Sequence, residues 1–236
     1  MTDGLARWRQ IRTALEQEIG AGTLLPGARL PSEAQLAARF AVNRHTVRRA
    51  LEELSRAGLV RIAQGRGSFV AEDVLAYTVA SRTRFSEWIQ RHNKEPSGET
   101  LSLETLPAEP AVAAALQIAP GDAVVVMERL GRADGRPVSL GAHHFSAARF
   151  PQLLAHLQAG AGISAALAQA GVKDYVRQST RVTAAMPSAR ESALLEIPRN
   201  APLLVAEHIN VDDRGAVVEF GLGRYPTPRV QIVFEP

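Results

Sequence analysis

Residues 42–51 read Val42-Asn43-Arg44-His45-Thr46-Val47-Arg48-Arg49-Ala50-Leu51. Val47, Ala50, Leu51 and the following Leu54 recur at i, i+3, i+4 and i+7, which makes one face of a helix apolar. Asn43 stands where a side-chain acceptor caps the first turn. At about 100° per residue, His45, Arg49, Glu52 and Arg56 project away from that stripe, with Arg48 on its flank and Arg44 in the first turn. One side of this helix is made to be buried and the other to meet negative charge.

The neighbouring segments extend the pattern. Upstream, Leu30-Pro31-Ser32-Glu33-Ala34-Gln35 has the spacing of a capping box, Ser32 to Gln35, opening a shorter helix that carries Leu36, Ala37 and Phe40. Ala41 and Val42 form the turn between the two helices. Leu5, Trp8, Ile11, Leu15 and Ile19 place a first helix over residues 5–19, ended by Gly20, Gly22, Pro26 and Gly27. Downstream, Gly58 stops the third helix. Leu59-Val60-Arg61-Ile62 and Ser68-Phe69-Val70 then flank Ala63-Gln64-Gly65-Arg66-Gly67, a two-stranded ribbon with a glycine-rich tip. Three helices and a hairpin, in that order, predict a winged helix-turn-helix over residues 1–70.

Charge supports this assignment. The 236 residues carry a formal net charge of +3, and residues 1–75 hold 11 arginines against 8 acids, so the excess lies at the front. Between Arg29 and Val70 there are eight arginines, no lysine and three acids. Arginine presents a fixed fork that can bond guanine O6 and N7 together, each good pair being worth ~1–3 kcal/mol of discrimination. Arg44 and Arg48, one turn apart near the start of the third helix, are the expected base readers. His45 and Arg49 share the exposed face, and Ser32 and Thr46 suit phosphate oxygens. Gln64, Gly65, Arg66 and Gly67 make a tip whose missing Cβ atoms allow close approach to a minor groove. Simpler readings stand beside these: Thr46 caps its helix, Arg49 pairs with Glu52 or Glu53, and the glycines only close a hairpin.

The absence of cysteine excludes a disulfide framework and thiolate metal sites. No N-terminal basic-then-apolar segment and no membrane-length apolar run occurs, so a soluble, cytoplasmic protein is expected.

Residues 71–80 are short and unpatterned and read as a linker. Residues 81–236 contain an internal repeat at a spacing of 79, in which Leu116, Ile118, Val124, Val126 and Glu128 correspond to Leu195, Ile197, Leu203, Val205 and Glu207. Hairpins are expected at Asp134-Gly135, between strands 124–132 and 137–145, and at Asp212–Gly215, between 203–211 and 216–225. Further strands are expected at 99–106, 175–185 and 229–234. The class is α+β with a mainly antiparallel sheet, and duplicated halves meeting about a pseudo-twofold axis leave a cleft as the natural ligand site.

No catalytic constellation stands out in this second part. No phosphate-binding glycine loop is present, and His143 and His144, adjacent on a strand, point to opposite faces and cannot share a metal. Neither an enzymatic role, nor a metal, nor a cofactor is expected. Arg84, Arg129, Arg177 and Arg224 are isolated on apolar or small-residue segments, where a guanidinium is costly unless an anion or carboxylate pairs it. Ser86, Ser164 and Ser179 can add neutral donors. The alternative is internal pairing with Glu128, Glu207 or Glu219, and a register slip of one residue would move His143 or Arg129 to the other face.

Leu30-Pro31-Ser32-Glu33, residues 42–51 and Gln64-Gly65-Arg66-Gly67-Ser68-Phe69-Val70 together resemble the signature of GntR-type transcriptional regulators. The resemblance implies a homodimer on a palindromic double-stranded operator, with Arg44, Arg48 and Gly67 contacting DNA. Ala34 departs from it, since many members carry a base-contacting arginine there. The second part resembles the UTRA effector domain, of chorismate-lyase-like fold, that marks the HutC subfamily, and within it the regulators of phosphonate metabolism. Its specific pieces are Arg82-Thr83-Arg84-Phe85-Ser86, His143-His144-Phe145, Arg177-Gln178-Ser179-Thr180 and Glu219 with Arg224-Tyr225. The effector site implied comprises Arg84, Ser86, Arg129, His143, Ser164, Arg177, Ser179, Glu219 and Arg224. Gly141 stands where many such domains carry a glutamate that meets sugar-type effectors, which favours a smaller anion, phosphonate or phosphate. The expected function is therefore an effector-responsive repressor of phosphonate uptake or metabolism genes. The alternatives are a regulator of histidine or sugar metabolism, and a lyase-like enzyme with a DNA-binding appendage.

Overall fold

The computed structural model describes residues 3–234 apart from 64, 72, 73, 81 and 83, with side chains from Arg7 onward. Two compact units divide the chain, residues 1–73 and 74–236.

In the first unit, α1 (Asp3–Gly20), α2 (Glu33–Arg39) and α3 (Arg44–Arg56) precede β1 (Val60–Ala63) and β2 (Gly67–Val70). Trp8, Ile11 and Leu15 of α1, Leu36 of α2, and Val47, Ala50, Leu51 and Leu54 of α3 share one buried cluster with Leu30, Val60 and Val70. Leu5, part of the same helical spacing, lies outside the described side chains. Both helix starts are capped as the sequence predicts: Ser32 and Gln35 form a reciprocal capping box, and Asn43 Oδ1 accepts from the Thr46 amide at 2.9 Å. β1 and β2 pair antiparallel, from Val60 opposite Val70 to Ala63 opposite Gly67.

The second unit contains β3 (Leu75–Thr78), α4 (Phe85–Arg91), β4 (Pro96–Pro107), α5 (Pro110–Leu116), β5 (Ala123–Ala133), β6 (Arg136–Ser146), α6 (Leu153–Gln158), α7 (Ile163–Gln169), β7 (Val176–Ala185), α8 (Ala189–Leu194), β8 (Leu203–Val211), β9 (Val217–Pro226) and β10 (Val230–Val233). Six strands form one antiparallel sheet in the order β4-β5-β6-β9-β8-β7. That order is a palindrome of the repeat: β4, α5, β5 and β6 correspond to β7, α8, β8 and β9, and the halves join at β6–β9. Even the strained residues repeat, because Gln117 and Glu196, 79 positions apart, both follow their short helices with φ near +59° and +51°.

The stretch 71–80, read from sequence as a linker, includes β3. This strand pairs parallel with β10, from Leu75 opposite Val230 to Thr78 opposite Val233, and buries Leu75 and Tyr77 against Trp88 and Tyr225. A four-residue strand completed by the far end of the chain leaves no local periodicity to read.

Alternation along the strands gives the sheet two different faces. The even-numbered Val124, Leu130 and Leu140 pack under α5 and α8. On the odd face, Val125, Met127 and Phe145 pack under α6 and α7, while the neighbouring odd positions of β6 and β9 are polar or glycine.

Candidate functional site

In the first unit, the candidate surface is the outer face of α3 with the β1–β2 tip. Arg44 and His45 are exposed at the start of α3. Arg48 is held from the side: its Nε and Nη2 donate to Glu33 at 3.1 and 2.9 Å. The hydrogen bond from Arg48, and then its charge, outweigh burial and hold the Glu33 carboxyl below its usual range. Arg49 pairs with neither Glu52 nor Glu53; its guanidinium lies 5.0 Å from the centre of the Trp8 ring, and Glu53 pairs with Arg56. Ser32 Oγ and Thr46 Oγ1 are engaged in their caps, Thr46 Oγ1 donating to Asn43 Oδ1 at 2.9 Å. At the tip, Gly65 and Gly67 have φ of +72° and +106°, backbone that other residues rarely adopt. The Arg66 amide closes the turn onto Ala63 O at 2.9 Å. Gln64 lies outside the described residues. Arg29, absent from the residues singled out by sequence, lies beside the tip: a Cβ on Gly67 would meet its Nε at 3.1 Å. The antiparallel bridge between Arg29 and Phe69 brings that residue there.

The second unit holds a cavity of 440 Å³ between the odd face of the sheet and the starts of α4 and α7. Cross-strand partners share a face, and the register puts Arg129 opposite Gly141, Gly141 opposite Gly223, and Asn210 opposite both Glu219 and Arg177. Arg84, Ser86, Arg129, His143, Ser164, Arg177 and Glu219 all line it. Its floor is open because glycines yield to rings: a Cβ on Gly131 would lie 2.6 Å from Phe85, and one on Gly223 2.6 Å from the Tyr225 hydroxyl.

Of the three cavity arginines, Arg84 is held by hydroxyls with two carboxylates at the edge of ion-pair reach, Arg177 by neutral groups, and Arg129 by none of the described residues. Arg84 Nη1 donates to Ser164 Oγ at 2.5 Å and to Tyr175 Oη at 3.0 Å, with the Tyr175 ring 4.6 Å from its guanidinium carbon. Asp174 and Glu87 are 3.8 Å from Arg84. Arg177 donates to Asn210 Oδ1 at 2.9 Å and to Thr180 Oγ1 at 3.2 Å. Arg129, half-buried, has no hydrogen bond or ion pair among the described residues.

Glu219 is the buried counter-charge. Its Oε1 accepts from His143 Nδ1 at 2.5 Å and its Oε2 from Asn210 Nδ2 at 2.7 Å, with His208 Nε2 3.8 Å away. Burial opposes ionisation, but the hydrogen bond from His143, with His208 close by, holds the carboxyl well below its usual range. Burial lowers the His208 pKa, against the pull of Glu219. Burial also raises Tyr175, leaving a neutral phenol beside Arg84.

Two expected site residues are not in this cavity. Arg224 occupies an even position of β9 and pairs with Glu191 of α8 at 2.6 Å, beneath the sheet. Ser179 follows a bulge between Arg177 and Ser179 that places it opposite Ile209 instead of continuing the alternation. Of the candidate internal partners, Glu128 pairs with Arg190 and Glu207 with Arg181, leaving Glu219 alone at the cavity. Tyr175, His208 and Asn210 line the cavity and were missed; an imidazole and an amide at positions 208 and 210 of β8, on the face it otherwise gives to Leu204 and Ala206, were the available signal. His144 turns to the other face, where its Nδ1 lies 3.2 Å from Phe220 O. Among the described residues, no group of three or more His, Asp or Glu is arranged to hold a metal, and no helix is long and apolar enough to cross a membrane.

Comparison with known proteins places both units. Residues 8–70 match the family described as bacterial regulatory proteins, gntR family, and residues 91–231 match the UTRA domain. The chain is 35% identical to the HTH-type transcriptional regulator RB1450 of Rhizobium meliloti (strain 1021), over 98% of this chain and 96% of that protein. It is also 35% identical to the transcriptional regulator PhnF of Escherichia coli (strain K12), over 88% and 85%. The crystal structure of PhnF from Mycobacterium smegmatis superposes with a TM-score of 0.67 at 25% identity, covering 96% of this chain and 98% of that one. With a winged helix-turn-helix in front and a UTRA domain behind, the chain belongs to the GntR family of bacterial transcriptional regulators, in its HutC-like branch.

Proposed function

We propose that this regulator is a cytoplasmic homodimeric repressor of phosphonate uptake or metabolism genes, reading a palindromic operator with two copies of α3 and sensing a small anion of phosphonate or phosphate type. Arg44 and Arg48 read bases. Ser32, His45, Thr46 and Arg49 border the phosphates, and Gly65, Arg66, Gly67 and Gln64 approach the minor groove. The effector rests on Arg129, Arg84 and Arg177, with Ser86, Ser164, His143 and Glu219 around it.

The observation that carries the effector reading is Arg129, half-buried in a cavity and without a protein partner among the described residues. A guanidinium withdrawn from water is costly unless an anion joins it, and a tetrahedral oxyanion takes two parallel hydrogen bonds from it. The family likeness to PhnF supports the same class of ligand. An effector controls DNA binding only if it prefers one of the two states of the dimer. Fluorescence anisotropy with the gene's own upstream DNA tests the whole reading. Tight binding relative to scrambled duplex, shifted by ethylphosphonate in the wild type but not in Arg129→Ala, is expected. No preference for that DNA at physiological salt removes the DNA reading, and no shift by any phosphonate or phosphate removes the effector reading.

A further inference from the structure

His143 has one ring nitrogen committed and one open. Glu219 is ionised, and a carboxylate only accepts, so the 2.5 Å contact requires the hydrogen to sit on His143 Nδ1. In the neutral ring, Nε2 is then an acceptor, and no hydrogen bond to it is made by any described residue. Glu219 is in turn held by Asn210, itself bonded to Arg177, so the imidazole is oriented from beneath. The space beside Nε2 is open because residue 141 is glycine: a Cβ there would lie 3.0 Å from Nε2. Both Gly141 and His143 line the cavity.

Arg129 stands directly opposite Gly141 on the adjacent strand. Arg129 and His143 are therefore diagonal neighbours on one sheet face, a spacing of about 7–8 Å. Among the described residues, a cation without a partner and an acceptor without a donor lie within the reach of one small molecule.

We propose that His143 Nε2 is a specificity-determining acceptor, and that the effector is a compact phosphonic or phosphoric acid bearing a hydroxyl or ammonium donor a few bonds from its acidic group. This rests on the reading of Arg129 as the anion seat and adds the second pole. A bare alkyl acid leaves Nε2 desolvated and unsatisfied, and that penalty discriminates against it. A side chain at 141 covers the acceptor without touching the guanidinium's charge.

The test is calorimetry on the full-length protein at pH 8 with two matched pairs: 2-hydroxyethylphosphonate against ethylphosphonate, and 2-hydroxyethyl phosphate against ethyl phosphate. The expected result is that the hydroxylated member of at least one pair binds about fivefold to tenfold more tightly. Gly141→Ala, whose backbone conformation any residue can adopt, brings that pair within about twofold, and His143→Phe does the same. Parity within both pairs in the wild type, with binding retained, overturns the proposal alone. A preference that survives both substitutions also overturns it. Absence of binding by all four compounds overturns it together with the anion reading. The phosphonate and phosphate pairs separate the two sources of the same oxyanion.

Discussion

Glu33 of α2 grips Arg48 of α3 by its side edge, Oε1 to Nε at 3.1 Å and Oε2 to Nη2 at 2.9 Å. The pair leaves Nη1 and the second hydrogen of Nη2 unused by Glu33, on a side chain that is 56% exposed. Those donors form the edge a bidentate guanine contact uses. A residue of α2 thus fixes the α3 side chain that we propose reads bases.

Removing each partner separates aiming from charge. Arg48→Ala is expected to reduce discrimination between operator and scrambled duplex by about tenfold to a hundredfold. Arg48→Lys retains the charge and the affinity for scrambled DNA but loses most of the discrimination. Glu33→Gln removes a negative charge near the phosphates, so binding to scrambled duplex tightens while the operator preference shrinks. Equal losses on both duplexes for Arg48→Ala would show that this residue contacts only phosphate.

The cap of α3 is a separate and purely structural contribution. Asn43 Oδ1 accepts from both the amide and the hydroxyl of Thr46 at 2.9 Å. Asn43→Ala is expected to cost about 1 kcal/mol and Asn43→Gly only a few tenths. For a domain of this size the alanine variant melts about 4–8 °C lower. Calorimetric melting of the full chain, followed at the transition of the first unit, checks this.

The second unit begins before the end of the apparent linker. A fragment that starts at residue 81 lacks β3 and leaves Val230 and its neighbours without their parallel partner. It also loses Leu75 and Tyr77, which are 3% and 5% exposed, each worth about 1.5–3 kcal/mol of burial. A fragment starting at 74 is expected to melt cooperatively, and one starting at 81 to melt much lower or bind a dye for exposed apolar surface. Equal melting temperatures for the two would place β3 outside the cooperative unit.

Acid should destabilise the second unit in two stages. His144 and His208 are kept from protonating, chiefly by burial, so the unfolded chain binds protons more readily and stability falls as pH drops below about 6.5. Glu219 ionises more readily folded than unfolded, so its contribution is full above the ordinary value of 4.5 and is lost as pH falls through its lower folded value. Melting temperature against pH is therefore expected to decline first below 6.5 and more steeply below 4.5. Glu219→Gln lowers stability at neutral pH but flattens the lower limb. Other carboxylates held low by partners, such as Asp212 and Glu191, keep that limb from vanishing. Parallel curves for wild type and variant would show that Glu219 does not drive the acid response.

Much of this protein is written locally. The apolar spacing of α1 and α3, the Ser32–Gln35 box, the Asn43 cap, the glycine tip and the Asp134-Gly135 turn all depend on residues within a few positions of one another, so periodicity and capping chemistry were enough to read them. The 79-residue repeat foretold a symmetric sheet, which the order β4-β5-β6-β9-β8-β7 displays. Three features were beyond sequence because each is set by a distant strand. The bulge after Arg177 turns Ser179 away, the parity of Arg224 sends it to Glu191, and β3 exists only where β10 receives it. Charge and helix phase alone determined that one end of the chain presents arginines to a polyanion. Which of the remaining arginines has no partner among the described residues was decided only when six strands fell into register, since pairing in a sheet is a property of neighbours that the chain brings together from far apart.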